Sequence, residues 1–176
     1  ITELKGAQLK EIYKKLQMVF QFPAASFDPR RTLGRSIEEI LKNMDAAKEA
    51  GLKAKRLLSL CGLSEDFARR YPHQVSGGQC QRAAIARALA VDPKILICDE
   101  ATSALDVTIQ EQIIALLKSL KESRGLSMIF ICHNLALVQD FCDRVLVMDR
   151  GAVVEEGTPD EIIFYPKTEY TRQLAA

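Results

Sequence analysis

The chain has 176 residues, the length of one domain with a substantial core, and its 48% hydrophobic content is ordinary for a globular protein. The formal net charge is +1 with acids and bases interspersed, which excludes a strong overall attraction to nucleic acid or to a membrane surface. The apolar runs are far shorter than the roughly 18 residues of a transmembrane helix, and no signal-peptide pattern opens the chain. Five cysteines, widely spaced and mostly inside apolar segments, favour reduced core thiols over a disulfide framework or a zinc site. We therefore expect a protein that works in the cytoplasm.

The first elements are a helix and a strand. Apolar residues at helical spacing among lysines and glutamates predict a short amphipathic helix over residues 4–15. Residues 16–20 have the composition of a strand, which ends at Gln21. An irregular connection punctuated by prolines follows over residues 22–30.

Residues 33–70 are predicted to be helical, because apolar residues recur at helical spacing and no strand-like alternation interrupts them. We expect these apolar residues to pack in a core. They are Ile37, Ile40, Leu41, Met44, Leu57, Leu58, Leu60 and Leu63.

The stretch 75–82 reads Val-Ser-Gly-Gly-Gln-Cys-Gln-Arg and opens a further helix, which small residues continue until Pro93. Ser76 is a favourable N-cap, and Gly77 and Gly78 allow a ligand to approach the backbone. The free amides of a helix's first turn point outward at the positive end of its dipole, so a phosphate there gains hydrogen bonds and charge stabilisation. The stretch is a candidate anion site, although Ser-Gly-Gly before a helix is also common in ordinary turns.

Two acids, Asp99 and Glu100, follow a continuous apolar block over residues 94–98. Such a block is typical of a parallel strand that is covered on both faces. In open α/β sheets ligands bind beyond the carboxyl ends of the strands, so both carboxylates are expected at a ligand-binding edge. The alternative is a pair of surface acids that only close a strand.

The next elements are an amphipathic helix and a second buried strand. Asp106 is the predicted N-cap of the helix, and Gly125 lies just beyond its end. Residues 127–132 are predicted to form the strand, and His133 follows it. A lone histidine at a strand end is more often structural than catalytic.

The last part of the chain contains further short elements. Residues 135–141 are predicted to form a short helix. Residues 144–155 have the alternation and the central glycine of a β-hairpin. Another helix is predicted to begin within residues 157–163.

These segments resemble the ATP-binding cassette (ABC) ATPases over essentially the whole chain. Five motifs occur in the family's order and spacing: the glutamine loop MVFQ ending at Gln21, the signature VSGGQ at 75–79, the Walker B strand ILICDE at 95–100, the D-loop SALD at 103–106, and the H-loop histidine His133.

The resemblance implies an α/β fold, namely part of a P-loop NTPase (RecA-like) core with parallel strands plus an all-helical ABC subdomain. Residues 1–21 would be the end of the N-terminal part of the core with the glutamine loop. Residues 22–90 would form the helical subdomain with the signature helix, and residues 91–176 the C-terminal half of the α/β ATPase core.

The resemblance also implies that the cofactors are ATP and Mg²⁺. Asp99 and Gln21 would bind the metal, Glu100 would polarise the attacking water, Gln21 would help to bind that water, and His133 would contact the γ-phosphate. The cofactor-binding residues it implies are Ser76, Gly77, Gly78, Gln79 and Asp106.

No G-x-x-x-x-G-K-[ST] sequence occurs in the chain, whose first residue is Ile1. The family places this P-loop ahead of the glutamine loop, with strands that hold adenine. The chain therefore reads as the C-terminal two thirds of a nucleotide-binding domain, cut or truncated, and by itself is expected to be inactive.

The implied function is that of the ATP-hydrolysing subunit of an importer for oligopeptides, dipeptides or nickel. The tail at 165–171 and segments 25–30 and 103–110 resemble that branch. The chain departs from the branch's N-P-x-H-P-Y-T at Tyr165 and at 168–169, and it has Asp-Glu-Ala-Thr where Asp-Glu-Pro-Val is commoner.

The implied partners are a second ABC ATPase subunit and transmembrane permease subunits that dock on the helical subdomain, and nucleic acid is not expected. The chain would then lie at the inner face of the cell membrane. Two alternatives stay open. One is a soluble ABC ATPase without a transport role, which would predict a second cassette or long coiled-coil heptads in the sequence. The other is a catalytically dead regulatory fragment, which the missing P-loop would permit.

Overall fold

The computed structural model describes residues 3–43 and 49–175. The chain divides into two compact units, Ile1–Ile131 and Cys132–Ala176. In the described residues, no helix combines the length and the apolar character that a membrane crossing needs.

A parallel sheet is the centre of the first unit. Its strands are β1 (Leu16–Val19), β2 (Ile95–Asp99) and β3 (Ser127–Ile131), in the order β1-β2-β3. Because all three run in the same direction, their carboxyl ends meet at one edge of the sheet. The predicted α/β class with parallel strands is confirmed.

The two faces of the sheet are not equally covered. Leu96 and Cys98 of β2 are fully buried, whereas Ile95, Ile97 and Asp99, which alternate with them, are half-buried. The strand predicted at 127–132 is present as Ser127–Ile131, but the prediction that it is buried is wrong, because Ile129 and Ile131 are 51% and 47% exposed. Both side chains lie on the same face of β3, which the other elements leave about half uncovered.

Five helices accompany this sheet in the described residues: α1 (Gly6–Lys15), α2 (Leu33–Lys42), α3 (Ala50–Leu60), α4 (Gly77–Ala88) and α5 (Val107–Arg124). A 3-10 turn at Glu65–Arg69 follows α3, so the predicted helical character of 33–70 is confirmed for the described residues. Met44 lies outside them.

Most of the predicted core residues of this helical region are at least partly buried. Ile37, Leu41, Leu58 and Leu63 are buried. Leu60, however, is 41% exposed, so its prediction as a core residue is wrong. It follows Leu58 by two positions, about 200° around a helix of 3.6 residues per turn, and therefore faces away from the buried stripe of α3.

The second unit contains α6 (Leu135–Phe141), an antiparallel hairpin of β4 (Val145–Asp149) and β5 (Ala152–Gly157), α7 (Pro159–Phe164) and α8 (Glu169–Ala175). The predicted hairpin and helices are thereby confirmed. Arg150 and Gly151 form its turn with positive φ angles, as a tight hairpin requires.

One carboxylate of β5 fastens the segment between α7 and α8. Glu155 is only 8% exposed, and its oxygens accept hydrogen bonds from the backbone N–H groups of Lys167 (2.8 Å) and Thr168 (3.0 Å). Hydrogen bonds from Thr171 and from these two amides lower the pKa of Glu155 to about 2.

Candidate functional site

Ser76 caps α4 as predicted. Its Oγ accepts from the backbone N–H of Gln79 at 3.3 Å, and Oε1 of Gln79 accepts from the backbone N–H of Ser76 at 3.0 Å. This reciprocal capping box holds the first turn in shape while Ser76 and Gly77 stay exposed. The positive end of the α4 dipole is thus presented on the surface of the first unit.

The two glycines of this turn differ in their surroundings. A β-carbon at Gly77 would lie 3.5 Å from Cδ2 of Leu105, an ordinary contact. At Gly78, which is buried, it would lie 2.5 Å from Cγ2 of Ile109. Gly78 therefore has a packing reason of its own, because it lets α4 approach the first turn of α5.

Asp106 caps that first turn of α5, as predicted. Its Oδ1 accepts from the backbone N–H of Ile109 at 3.0 Å. The loop before it is closed by a backbone bond from Leu105 N–H to Thr102 O (3.1 Å) and by Nε2 of Gln110, which donates to Thr102 O at 2.7 Å.

Gln21 and Glu100 meet at the carboxyl edge of the sheet, although 79 positions separate them in the chain. Nε2 of Gln21 donates to Oε2 of Glu100 at 2.7 Å, and it also donates to Oγ of Ser103 at 3.1 Å. The short distance to the carboxylate is typical of a charge-assisted bond.

The backbone at Glu100 has a left-handed conformation, with φ of 45°. For a residue with a β-carbon this conformation costs about 1–2 kcal/mol. Three bonds stabilise it: the N–H of Glu100 donates to Ile131 O (2.9 Å), and the N–H and Oγ of Ser103 both donate to Glu100 O (3.1 and 3.0 Å). Such strain is common where a side chain is held for function.

Asp99 and His133 complete the predicted set. Asp99 is the last residue of β2, half-buried, and it pairs in register with Ile131 of β3. His133 is exposed and belongs to the second unit. Its role toward a phosphate stays a prediction.

A family model described as ABC transporter matches residues 1–103. The chain belongs to the ABC transporter ATP-binding family. The sequence is 48% identical over 177 residues to the oligopeptide transport ATP-binding protein OppF of Haemophilus influenzae, an alignment that covers 99% of this chain and 53% of OppF. It is 47% identical over 176 residues to the glutathione import ATP-binding protein GsiA of Pectobacterium atrosepticum, covering 99% of this chain and 28% of GsiA.

A solved structure supports the same assignment. The dimeric ATP-binding cassette MJ0796, in a post-hydrolysis state bound to ADP and Pi, has a TM-score of 0.74 and 32% identity, covering 89% of this chain and 68% of that one. The chain thus has the P-loop NTPase fold of the ABC ATPases. It spans about half the length of OppF and a smaller share of GsiA.

The oxygen donors at the carboxyl edge of the sheet suit Mg²⁺, which keeps water and phosphate ligands. They suit less well a metal whose ligands all come from the protein. No group of three or more His, Cys, Asp or Glu side chains in the described residues is arranged to hold a metal ion. Asp99 offers a carboxylate and Gln21 an amide oxygen, which are hard oxygen ligands. Mg²⁺ is usually bound through one or two carboxylates, water and the phosphates of a substrate.

Two features of this ABC chain escaped sequence reasoning. The first is the Ser103 hydroxyl. The second is Arg87 of α4, whose guanidinium donates to Ser26 O and, at 2.8 Å, to Ser26 Oγ, and lies 4.3 Å over the ring of Phe27. Burial lowers the pKa of Arg87. The signal was an arginine among the small residues of the second half of α4, and its effect is to fasten the connection after Gln21 to the signature helix.

Proposed function

We propose that this chain carries the catalytic and signature parts of an ABC ATPase that powers an importer of peptides. The observation that supports this best is the 2.7 Å bond between Gln21 and Glu100 at the carboxyl edge of the parallel sheet. Ligands bind at such edges in α/β proteins. The names of the relatives OppF and GsiA, which refer to oligopeptide transport and glutathione import, support peptides as the class of solute.

The proposed chemistry is hydrolysis of ATP. ATP with Mg²⁺ supplies the phosphate bond that is cleaved, and Asp99 and the amide oxygen of Gln21 are the residues that would hold the metal. Glu100 accepts the proton of the attacking water, and Gln21, hydrogen-bonded to Glu100, orients that carboxylate. His133 would contact the γ-phosphate.

The signature residues serve a partner subunit in this proposal. The exposed first turn of α4, capped by Ser76, would bind a phosphate of the nucleotide held by a second ABC ATPase subunit. Gly77, Gly78 and Gln79 belong to that turn, and Asp106, the N-cap of α5, ends the loop that would face the same partner. The dimeric state of MJ0796 agrees with this arrangement.

The membrane partner is part of the same proposal. Residues 22–90 would be the helical subdomain that receives permease subunits, and residues 1–21 and 91–176 would belong to the ATPase core. The protein would then lie at the inner face of the cell membrane, held there by its permease subunits.

The role of Glu100 is tested by Glu100→Gln in this chain extended at its N-terminus by a G-x-x-x-x-G-K-[ST] P-loop segment of the ABC family. A positioned general base contributes roughly 10²- to 10⁴-fold, about 3–5 kcal/mol, so turnover should nearly vanish while Mg-ATP binding persists. The variant should accumulate as a dimer with ATP in size-exclusion chromatography. A variant that binds ATP but stays monomeric, or that hydrolyses ATP at the parent's rate, would contradict the assignment.

The role of the signature in the partner's site is tested with mixed dimers. A Ser76→Arg subunit combined with a Glu100→Gln subunit places both lesions in one site if the signature acts across the interface, and the other site keeps measurable hydrolysis. If the signature serves its own subunit, each site carries one lesion and the dimer is nearly inactive. A parent/Glu100→Gln dimer controls for coupling between the sites.

A further inference from the structure

We propose that Ser103 is a positioning residue, whose hydroxyl holds the Gln21 amide against the Glu100 carboxylate and closes the turn from which that carboxylate projects. The inference rests on the proposed function, in which Glu100 is the general base. It assigns a task to a side chain of the D-loop within its own subunit.

The bonds of Gln21 define its orientation. A carboxylate can only accept, so the group of Gln21 that lies 2.7 Å from Glu100 Oε2 must be the NH₂ and not the oxygen. The second acceptor of that NH₂ is Oγ of Ser103 at 3.1 Å. With both acceptors in place the amide plane is fixed, and its carbonyl oxygen is turned away from the Glu100 carboxylate.

The hydroxyl of Ser103 also acts on the Glu100 backbone. It has one proton, which it donates to Glu100 O at 3.0 Å, and its lone pairs receive the Gln21 NH₂. The same carbonyl accepts from the Ser103 N–H at 3.1 Å. One half-buried side chain therefore joins Gln21, two residues after β1, to the left-handed Glu100 after β2.

The two bonds to Glu100 O make the proposal testable without loss of the fold. Ser103→Ala removes the hydroxyl but leaves the N–H bond that closes the turn. The expected result is a folded variant in which the Gln21 NH₂ keeps only the Glu100 carboxylate. Ser103→Thr keeps the hydroxyl and should behave like the parent.

The first experiment uses the chain itself. The side-chain NH₂ signals of Gln21 in a ¹H–¹⁵N spectrum are identified by their loss in Gln21→Ala. Ser103→Ala should shift these signals and accelerate their exchange with water, and Ser103→Thr should restore both. The control is Ser123→Ala, because the Ser123 hydroxyl also donates to a backbone carbonyl, that of Ser119 at 2.6 Å, but on the surface of α5. Gln21 signals that are the same in Ser103→Ala as in the parent overturn the proposal.

The second experiment measures ATPase kinetics of the chain extended by the P-loop segment. Ser103→Ala should lower kcat by roughly 3- to 10-fold with KM unchanged, the loss expected for one hydrogen bond that orients the base. Ser103→Thr should restore kcat, and Ser103→Ala should lower kcat by a smaller factor in a Gln21→Ala background, where only its bond to Glu100 O is left to lose. Independent, multiplicative losses would overturn the proposal.

The two experiments separate this inference from the proposed function. A shifted Gln21 signal together with an active Glu100→Gln variant leaves Ser103 as the residue that positions Gln21 and removes Glu100 as the base. An unshifted signal together with an inactive Glu100→Gln variant removes the role of Ser103 and leaves the proposed function intact.

Discussion

Gly78→Ala should destabilise the first unit, whereas Gly77→Ala, one residue earlier in the same turn, should not. A β-carbon at Gly78 would lie 2.5 Å from Cγ2 of Ile109, whereas optimal carbon contacts are about 3.5–4.0 Å. Cγ2 is bonded directly to the β-carbon of Ile109, and in a helix one χ1 rotamer dominates for isoleucine, so the methyl group cannot swing aside. Relief requires a shift of about 1 Å between α4 and α5.

The magnitude follows from two opposing effects. Overpacking of this kind costs about 1–3 kcal/mol, whereas replacing a helical glycine by alanine gains up to about 1 kcal/mol. With the full gain subtracted, the expected net loss in the free energy of unfolding is about 0–2 kcal/mol for Gly78→Ala, and the two alanine variants should differ by about 1–3 kcal/mol. At Gly77 the nearest atom would be Leu105 Cδ2 at 3.5 Å, so only the gain remains.

The assay is urea unfolding followed by circular dichroism, with the midpoints of both variants compared with the parent. Ile109→Leu moves the branch one carbon further out at constant volume, so Gly78→Ala should be less harmful in that background. Equal stability of the two alanine variants, or an unchanged penalty with Ile109→Leu, would refute the reasoning. It would leave close approach of a ligand as the reason for Gly78.

Three further predictions concern the stability of the second unit at low pH, the reactivity of the cysteine thiols and the binding of nucleotide. The pKa of Glu155 falls from 4.5 to about 2 on folding, so its stabilisation of the second unit should be full above pH 4.5 and lost as the pH falls toward 2. The melting curves of the parent and of Glu155→Gln should therefore converge at low pH. A difference that stays constant with pH would contradict this prediction. Burial raises the pKa of Cys61 and Cys98 to about 12, so a thiol reagent at pH 8 should modify the half-buried Cys132 and Cys142 first. Peptide mapping measures the order of modification, and equal rates at all four cysteines would contradict this prediction. Calorimetry of the chain alone with Mg-ATP should show at most weak binding, because it has no P-loop sequence to cradle the phosphates, and micromolar affinity with turnover would contradict that expectation.

Features that depend on residues close in sequence were predictable. Ser76 and Asp106 each accept from the N–H three residues later, a pattern visible from residue type and spacing. The strands were predictable because apolar blocks long enough for a strand are bounded by turns. Only their ends and the exposure of β3 differ.

Features that depend on residues far apart in the chain were not predictable from the sequence. Ser103 contacts Gln21 across 82 positions, and Gly78 packs on a side chain of another helix. Neither contact leaves a periodic trace in the sequence. The exposure of Leu60 and Ile129 likewise depends on which surfaces are covered by other elements, and hydrophobicity alone does not report that.

The exposed side chains of β3 bear on how the isolated chain behaves in solution. An edge strand that carries apolar residues offers a template to which another chain can add by backbone pairing. At the millimolar concentrations useful for spectra of Gln21, we expect light scattering to rise with concentration. A lysine in place of Ile129, which is 51% exposed, should suppress that rise and leave the fold intact, because charged side chains guard such edges in natural sheets.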